Sequence, residues 1–313
     1  MIVTVTTNPS IDRTIEISKL SRGEINRGEL SSIDPAGKGV NVSRALASFG
    51  TNTHAIVVCG DLGSQWFSKK LNQLDISHEI IKSEGITRSN ITIHESSGIT
   101  TKINEPGFEL TNEVIDQVKI ALTKIDLLGS WVVFAGKLNP GADPNTYRDL
   151  AKFVKSRGAK VAIDGSGPEF LAAIEAKPDL IKPNHFELAE LVGRSLNTFS
   201  DIVAASREIN QRGVKQVLCS LGKDGAILIT DTDAVHCEPV DSFKGAPVGA
   251  GDILLAIYLA GGANTDALGN AVAWSAASVP LTGTSIPTKA QAAAVKVNLN
   301  HVVSEDRGLE EVH

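Results

Sequence analysis

The strongest constraint on the fold of this chain is a repeated alternation between short apolar runs and segments of helical periodicity. The strand-length runs are residues 2–6, 54–58, 131–135, 160–164, 180–184 and 216–220. The segments with helical spacing of apolar residues are 40–49, 113–127, 146–157, 185–192 and 202–212. Strands that are apolar on both faces and are joined by helices predict an α/β fold, with a mostly parallel central sheet and helices on both faces.

Two segments depart from this alternation and predict a second, smaller sheet. Residues 12–34 and 88–107 alternate polar and apolar side chains, and the second segment predicts a hairpin that turns at 95–98. Half-exposed strands within an α/β chain often form a flap over a ligand site. Because no linker-like tract is present, we expect one domain spanning 1–313, with this lid inserted into its core. The last segment, 307–313, is predicted to be a loose tail.

Composition restricts the classes of partner. The formal net charge is −6, which argues against a nucleic acid held through its phosphates. The sequence contains no run of about 18 apolar residues, and its start lacks the pattern of a signal peptide. The three cysteines form no CxxC pair, which is typical of proteins in a reducing cytosol. We therefore expect a cytoplasmic protein that binds neither a membrane nor a nucleic acid.

The stretch "VGAGD" (248–252) precedes a long apolar run and predicts an anion site at the start of a buried helix. A helix that begins at a glycine leaves backbone N–H groups unpaired at the positive end of its dipole. Asp252 then serves either as a general base beside the anion or as a helix cap. Capping alone does not require both Gly249 and Gly251, so we favour the catalytic interpretation.

A second glycine loop, "DPAGKGVNVSRAL" (34–46), opens another predicted helix. Gly37 and Gly39 allow close approach of a ligand to the backbone, Lys38 offers a cation, and Asn41 offers an amide. The loop matches neither the Walker pattern nor GxGxxG, so a dinucleotide site is unsupported. A tight turn followed by an ordinary helix start explains it equally well.

Two further loops also allow a functional and a structural interpretation. In "KPNHFEL" (182–188), Asn184 and Glu187 suit magnesium, yet their spacing also fits a capping box, which is the stronger local interpretation. "SLGKDGA" (220–226) could wrap a nucleotide phosphate or form a plain hairpin. No GxSxG occurs, so an α/β-hydrolase lacks its nucleophile here.

Taken together, these segments resemble the ribokinase/PfkB family of carbohydrate kinases. The motifs that carry the resemblance are "TTNPSID", "AGKGVNVSRALASFG", "TKINEPG", "KPNHFEL", "SLGKDGA" and "VGAGD", in that order. They extend from residue 1 to about residue 287. Within the family, "RGEIN", "AGKGVNV", "TRSNIT" and "TTKINEPG" look most like the bacterial 1-phosphofructokinase branch, which is similar to tagatose-6-phosphate kinases and the minor 6-phosphofructokinases.

The resemblance implies a ribokinase-like fold and an ATP- and Mg²⁺-dependent kinase that converts fructose 1-phosphate to fructose 1,6-bisphosphate. It assigns the base to Asp252 and the anion hole to Gly249, Ala250 and Gly251. The implied sugar-binding positions are Asp12, Gly37, Lys38, Asn41, Arg88 and Lys102, with both Arg88 and Lys102 as cations for the phosphate. The implied ATP-binding positions are Asn184, Ser220, Gly222, Lys223 and Gly225. Glu187 and Asn184 match an NxxE element that organises magnesium through water.

Three positions depart from the family pattern. Ile253 stands where Ser or Ala is usual, Pro247 stands where Thr is common, and Lys137 replaces a serine close to the expected substrate. Lys137 is therefore a candidate substrate contact. The alternatives left open are a kinase for tagatose 6-phosphate or fructose 6-phosphate and, in another class, a non-catalytic sugar-phosphate sensor. Exposed strands of the lid also suggest a homodimer.

Overall fold

The structure is a computed structural model that describes residues 1–245, 248–281, 283–301, 303 and 307–309. The strands are β1 Ile2–Thr6, β2 Ser10–Ile17, β3 Glu29–Ala36, β4 Thr53–Gly60, β5 Ser77–Ser83, β6 Arg88–Glu95, β7 Thr100–Asn104, β8 Trp131–Ala135, β9 Lys160–Asp164, β10 Leu180–Ile181, β11 Gln216–Ser220, β12 Ala226–Ile229, β13 Ala234–Pro239 and β14 Val297–Asn300. The helices are α1 Lys38–Phe49, α2 Ser64–Gln73, α3 Asn112–Thr123, α4 Thr146–Lys155, α5 Gly167–Ile174, α6 His185–Val192, α7 Phe199–Gln211, α8 Ala250–Ala260, α9 Thr265–Ser278 and α10 Lys289–Ala294.

In the described part of the chain, a 10-stranded sheet has the order β14-β13-β12-β11-β10-β9-β8-β1-β4-β5. The strands from β11 to β5 in this order pair in parallel, and β12, β13 and β14 add antiparallel pairs at one end. The predicted α/β class is therefore confirmed. From β1 the chain passes to β4 on one side and later returns to β8 on the other side.

Apolar side chains cover both faces of this sheet. Along β1, Val3 and Val5 pack in the cluster that includes helices α3 to α7, whereas Ile2 packs in the cluster that includes α8 and α9. The same alternation occurs on β8, where Phe134 and Val133 face opposite clusters. Side chains of successive strand residues point to opposite faces, so a strand buried on both sides must be apolar throughout.

The two segments predicted to lie outside the main layers form a 4-stranded sheet with the order β3-β2-β6-β7. β2 pairs in parallel with β6, and β6 and β7 form the predicted hairpin. Gly98 lies in its turn with φ +88°, and its N–H donates to the carbonyl of Glu95 at 2.8 Å. The second sheet is confirmed, while its action as a lid and the description of 1–313 as one domain stay predictions.

Local predictions were wrong at three places. Of residues 180–184, Leu180–Ile181 form a regular strand, and Asn184 adds an isolated parallel bridge to Ser220, because Pro183 lacks the N–H that would continue the ladder. The stretch 235–246, predicted to be irregular, contains most of β13. Residues 307–309 are not loose: the N–H of Leu309 donates to the carbonyl of Asn197 at 3.0 Å. Residues 310–313 and Pro247 lie outside the described residues.

Candidate active site

A cavity of about 790 Å³ lies where loops after several parallel strands meet the first residues of β2 and β6, the central strands of the small sheet. Ligands of open α/β sheets bind beyond the carboxyl ends of the strands, so this is the expected place for a site. The predicted site residues that line it are Asp12, Gly37, Lys38, Asn41, Arg88, Asn184, Glu187, Ser220, Gly222, Lys223, Gly225, Gly249, Ala250, Gly251 and Asp252.

The start of α8 presents bare backbone amides to this cavity. Gly249 adopts φ +80° as the residue before the helix, and no side chain caps the helix there. The first intrahelical bond runs from the N–H of Ile253 to the carbonyl of Gly249 at 3.0 Å. The amides of Ala250, Gly251 and Asp252 precede that bond, so the helix offers an anion-binding end. Asp252 does not act as the cap of its own helix.

Asp252 is buried, and its carboxylate is held from another element. Asn41, in the first turn of α1, donates its Nδ2–H to Oδ2 of Asp252 at 2.8 Å. Burial raises the pKa of Asp252 to about 6, and the charge of Asp164 acts in the same direction. Lys38, Asn41 and Lys182 oppose that rise. At neutral pH the carboxylate is ionised, yet it is a stronger base than an ordinary aspartate.

Lys38, Asp164 and Lys182 form a charge cluster beside Asp252. Nζ of Lys38 lies 2.9 Å from Oδ1 of Asp164, and Nζ of Lys182 lies 3.4 Å from Oδ2. Burial alone would raise the pKa of the fully buried Asp164, but Lys182 and Lys38 lower it. Burial disfavours the charged form of Lys38, yet Asp164, Asp252 and Glu187 raise its pKa well above the usual range. Lys38 therefore remains cationic at neutral pH.

Sequence reasoning missed Asp164 and Lys182. Asp164 ends β9, and Lys182 directly follows β10, so both stand at the edge of the sheet where sites are expected. A Cβ added at Gly251 would lie 3.1 Å from Nζ of Lys182, which places this ammonium group against the start of α8. The position after each strand was the signal that could have identified them.

Asn184 and Glu187 form the capping box that their spacing favoured. The N–H of Glu187 donates to Oδ1 of Asn184, and the N–H of Asn184 donates to Oε2 of Glu187, each at 2.8 Å. Oε1 of Glu187 lies 4.0 Å from Nζ of Lys38, on the cavity side. Among the described residues, no group of three or more His, Cys, Asp or Glu could hold a metal. One outward carboxylate oxygen fits a magnesium ion held mainly by waters and phosphates.

The small sheet contributes an acid and a guanidinium. Oδ1 of Asp12 accepts hydrogen bonds from Ser10 at 2.7 Å and Asn90 at 2.9 Å, and burial raises the pKa of Asp12. Arg88 donates to Oδ1 of Asn90 at 3.2 Å and to the carbonyl of Asn8 at 3.3 Å. Ser10 pairs with Arg88 and Asp12 pairs with Asn90 in the strand register, so these side chains share one face of the sheet.

The predicted ATP loop, "SLGKDGA", is a hairpin whose turn lines the cavity. The hairpin interpretation is therefore compatible with the interpretation as a nucleotide-binding loop. Ser220 pairs with Ala226 across β11 and β12, and a 3₁₀ turn spans Gly222–Asp224. Gly225 has φ +77°, and a Cβ there would overlap the carbonyl oxygen of Cys237. Only glycine allows this approach to β13.

The structure does not place every predicted residue at the cavity. Lys102 is exposed on β7, the outer strand of the small sheet, and Lys137 is exposed in the loop after β8. Neither lies on the cavity wall, so their roles in substrate binding stay predictions. Ile253 is 1% exposed and packs in the core, which means that this departure does not touch the cavity.

Comparison with known proteins decides the family. The family model described as "pfkB family carbohydrate kinase" matches residues 5–291. The chain belongs to this pfkB family. The resemblance predicted from the motifs is confirmed, and this pfkB-family chain is a phosphotransferase. Among its described residues, the structure contains no helix with the length and hydropathy needed to cross a bilayer.

Relatives of this pfkB-family chain are similar over most of its length. It is 32% identical to 1-phosphofructokinase of Vibrio cholerae over 255 residues, which is 82% of this chain and 80% of the relative. It is 33% identical to 1-phosphofructokinase of Bacillus subtilis over 264 residues, or 83% and 85% of the two chains. The crystal structure of phosphofructokinase-2 from Escherichia coli in complex with fructose 6-phosphate matches with a TM-score of 0.87 and 26% identity, covering 94% of this chain and 97% of that chain.

Proposed function

We propose that this kinase transfers the γ-phosphoryl group of ATP to the 6-hydroxyl of D-fructose 1-phosphate, giving D-fructose 1,6-bisphosphate and ADP. The observation that carries the proposal is the buried Asp252, held by Asn41 beside the bare amides that begin α8. The choice of sugar is supported by relatives from Vibrio cholerae and Bacillus subtilis that are named 1-phosphofructokinase.

Asp252 accepts the proton of the sugar hydroxyl in this proposal. As the oxygen of that hydroxyl bonds to the γ-phosphorus, the bond from the γ-phosphorus to the β–γ bridging oxygen breaks, and ADP leaves with its electron pair. The hydroxyl proton passes to Asp252. A pKa of about 6 favours this transfer, because a base is most effective when its pKa lies near the working pH and it is still ionised.

The remaining groups position and neutralise the anionic reactants. In this proposal the amides of Ala250 and Gly251 donate to oxygens of the phosphoryl group during transfer, and Lys182 lies beside them. Arg88 and Lys38 offer cations on the sugar side of the cavity, which matters in a chain of net charge −6.

The loop 220–225 and α6 provide the nucleotide side of the cavity. Gly222, Lys223 and Gly225 are the candidate contacts with the phosphates or ribose of ATP. A bound Mg²⁺ would neutralise charge on the phosphates, and Glu187 would hold its waters through the outward carboxylate oxygen.

A substrate panel tests the proposal. ADP release is measured with fructose 1-phosphate, fructose 6-phosphate and tagatose 6-phosphate at equal magnesium-ATP. We expect the highest kcat/KM with fructose 1-phosphate. Fructose 6-phosphate is the specific alternative, because the Escherichia coli neighbour was crystallised with that sugar. A higher kcat/KM with either 6-phosphate would contradict the proposed substrate.

The same panel also separates an enzyme from a sugar-phosphate sensor. Calorimetry of fructose 1-phosphate binding is run on the protein used for the kinetics. Binding without any ADP release would exclude the proposed kinase reaction and would favour the sensor.

A further inference from the structure

Arg307, which is distant in the chain, binds the turn of the predicted ATP loop (residues 220–226). Its Nη2 donates to Oδ1 of Asp224 at 2.6 Å, and its Nη1 donates to Oε2 of Glu238 at 2.6 Å. Asp224 belongs to the turn Gly222–Asp224, and Glu238 lies on β13. One guanidinium group therefore bridges the turn to the strand behind it. Arg fits this role because its planar fork satisfies two carboxylates at once.

Asp224 is held by both its side chain and its backbone. The carboxyl group is buried, with 4% of the side chain exposed, whereas the side chain of Arg307 is 34% exposed and approaches it from the solvent side. The backbone carbonyl of Asp224 accepts a hydrogen bond from Nε2 of His236 at 2.7 Å. The neighbours of Asp224 in the turn, Gly222, Lys223 and Gly225, line the cavity. A contact that fixes Asp224 thus fixes residues on the cavity wall.

The position of Arg307 is itself set by packing. Its guanidinium lies over the ring of Phe199, 4.8 Å from the centroid. The N–H of Phe199 donates to the carbonyl of Arg307 at 2.9 Å, and Thr198 forms an isolated antiparallel bridge with Gly308. These contacts hold 307–309 against the start of α7. The segment lies beyond residues 5–291, the range that the family model matches.

We propose that Arg307 is a positioning residue for nucleotide binding: it holds the turn 222–224 in the form that contacts ATP. This inference rests on the proposed use of ATP. A guanidinium at this place lowers the freedom of the turn before the nucleotide arrives, so its loss weakens nucleotide affinity and leaves sugar affinity unchanged.

The test compares Arg307→Gln with wild type and with Arg194→Gln. Arg194 is a matched control, because its two terminal nitrogens likewise donate to carboxylate oxygens, both of Glu208, at an exposed site that is not part of the cavity wall. Calorimetry with magnesium-ADP gives the nucleotide Kd, steady-state kinetics gives KM for ATP and for the sugar phosphate, and thermal denaturation gives Tm.

For Arg307→Gln we expect the Kd for ADP and the KM for ATP to rise roughly tenfold, equivalent to about 1.4 kcal/mol. We expect the KM for the sugar phosphate to stay within twofold, Arg307→Lys to recover part of the affinity, and Arg194→Gln to match wild type. A folded Arg307→Gln protein with unchanged ADP affinity would overturn the inference.

If Arg307→Gln does not fold, Glu238→Ala provides a second test, because it removes the acceptor for one arm of the guanidinium without touching the cavity wall. Weaker ADP binding with unchanged sugar affinity supports the inference, and unchanged ADP binding overturns it. Failure of the wild-type protein to bind ADP would instead count against the proposed function, so the two failures are distinguishable.

Discussion

At the scale of single residues, burial and neighbouring charges act in opposite directions on the pKa of Asp252. Burial raises its pKa to about 6, whereas Lys38, Lys182 and the amide of Asn41 favour its ionised form. An exposed aspartate would be a weaker base, and an aspartate buried without these partners would be protonated at neutral pH. The neighbours therefore set the protonation state that the proposed chemistry requires.

The first prediction concerns Asp252→Asn. Because the amide cannot accept the hydroxyl proton, we expect kcat to fall roughly a hundredfold to ten-thousandfold, while binding of the sugar phosphate changes little. Asp266→Asn is the control, since Asp266 is likewise an acid in the first turn of a helix but is exposed and lies off the cavity wall. Kinetics and calorimetry on both variants check this. An Asp252→Asn enzyme with wild-type kcat would remove the base assignment.

At the scale of elements, most of α8 is buried in the core, whereas its first turn lines the cavity. Its residues from Ile253 to Leu259 are buried, so the helix has no solvent face over this span. Such a helix is held rigidly by packing on all sides, and its first turn keeps its orientation relative to the cavity. The open end requires small residues, because a side chain there would occupy the space that an anion needs.

The second prediction concerns Gly251→Ala. The added methyl would lie 3.1 Å from Nζ of Lys182, which can shift, so the fold should persist while the anion site is obstructed. We expect kcat/KM to fall at least roughly tenfold, equivalent to about 1.4 kcal/mol of transition-state binding. Gly269→Ala is the control in α9, where, among the described residues, the methyl meets Val297 alone, at 3.6 Å. Equal kcat/KM for the two variants would argue against an anion site at α8.

At the scale of the whole molecule, the site lies where the order of the sheet reverses. β1 is flanked by β4 and β8, which the chain reaches in opposite directions. Lys38 begins α1, which lies in the chain between β3 and β4, on one side of this reversal. Asp164 ends β9 and Lys182 follows β10, so both come from the other half of the sheet. A topological switch point of this kind opens a crevice between the two halves, which explains why charges from both converge there.

The third prediction concerns the stability of the whole protein. A carboxyl whose pKa is raised on folding, from its ordinary value of 3.8 to about 6, favours the folded state below the unfolded pKa and loses that contribution as pH rises through the folded pKa. Since Asn resembles the protonated acid, Asp252→Asn should stabilise the protein at pH 8 by up to about 3 kcal/mol. At pH 4 the difference should nearly vanish.

Urea denaturation at pH 4 and pH 8 checks this dependence, with Asp266→Asn again as the control. A variant that gains nothing at pH 8, or that gains equally at both pH values, would show that Asp252 is not held at a raised pKa. The inference that the ionised carboxylate of Asp252 lowers the stability of the folded protein would then be wrong.

The main layers of the fold could be predicted because their signals are local. The apolar runs at Ile2–Thr6, Trp131–Ala135 and Lys160–Asp164 match strands residue for residue. A strand buried on both faces must be apolar, whatever its neighbours are. β13 was missed because it contains His236 and Glu238, whose burial or pairing depends on the distant residues Asp224 and Arg307.

The sequence by itself determined strands such as β1, β8 and β9, the capping box of Asn184 and Glu187, and the glycine start of α8. Each depends on residues a few positions apart, so the pattern is visible along the chain. The tertiary structure alone decided that Asp164 and Lys182 stand beside Asp252. That arrangement depends on strand order and packing, which bring together side chains separated by tens of residues and, through burial, shift their pKa values.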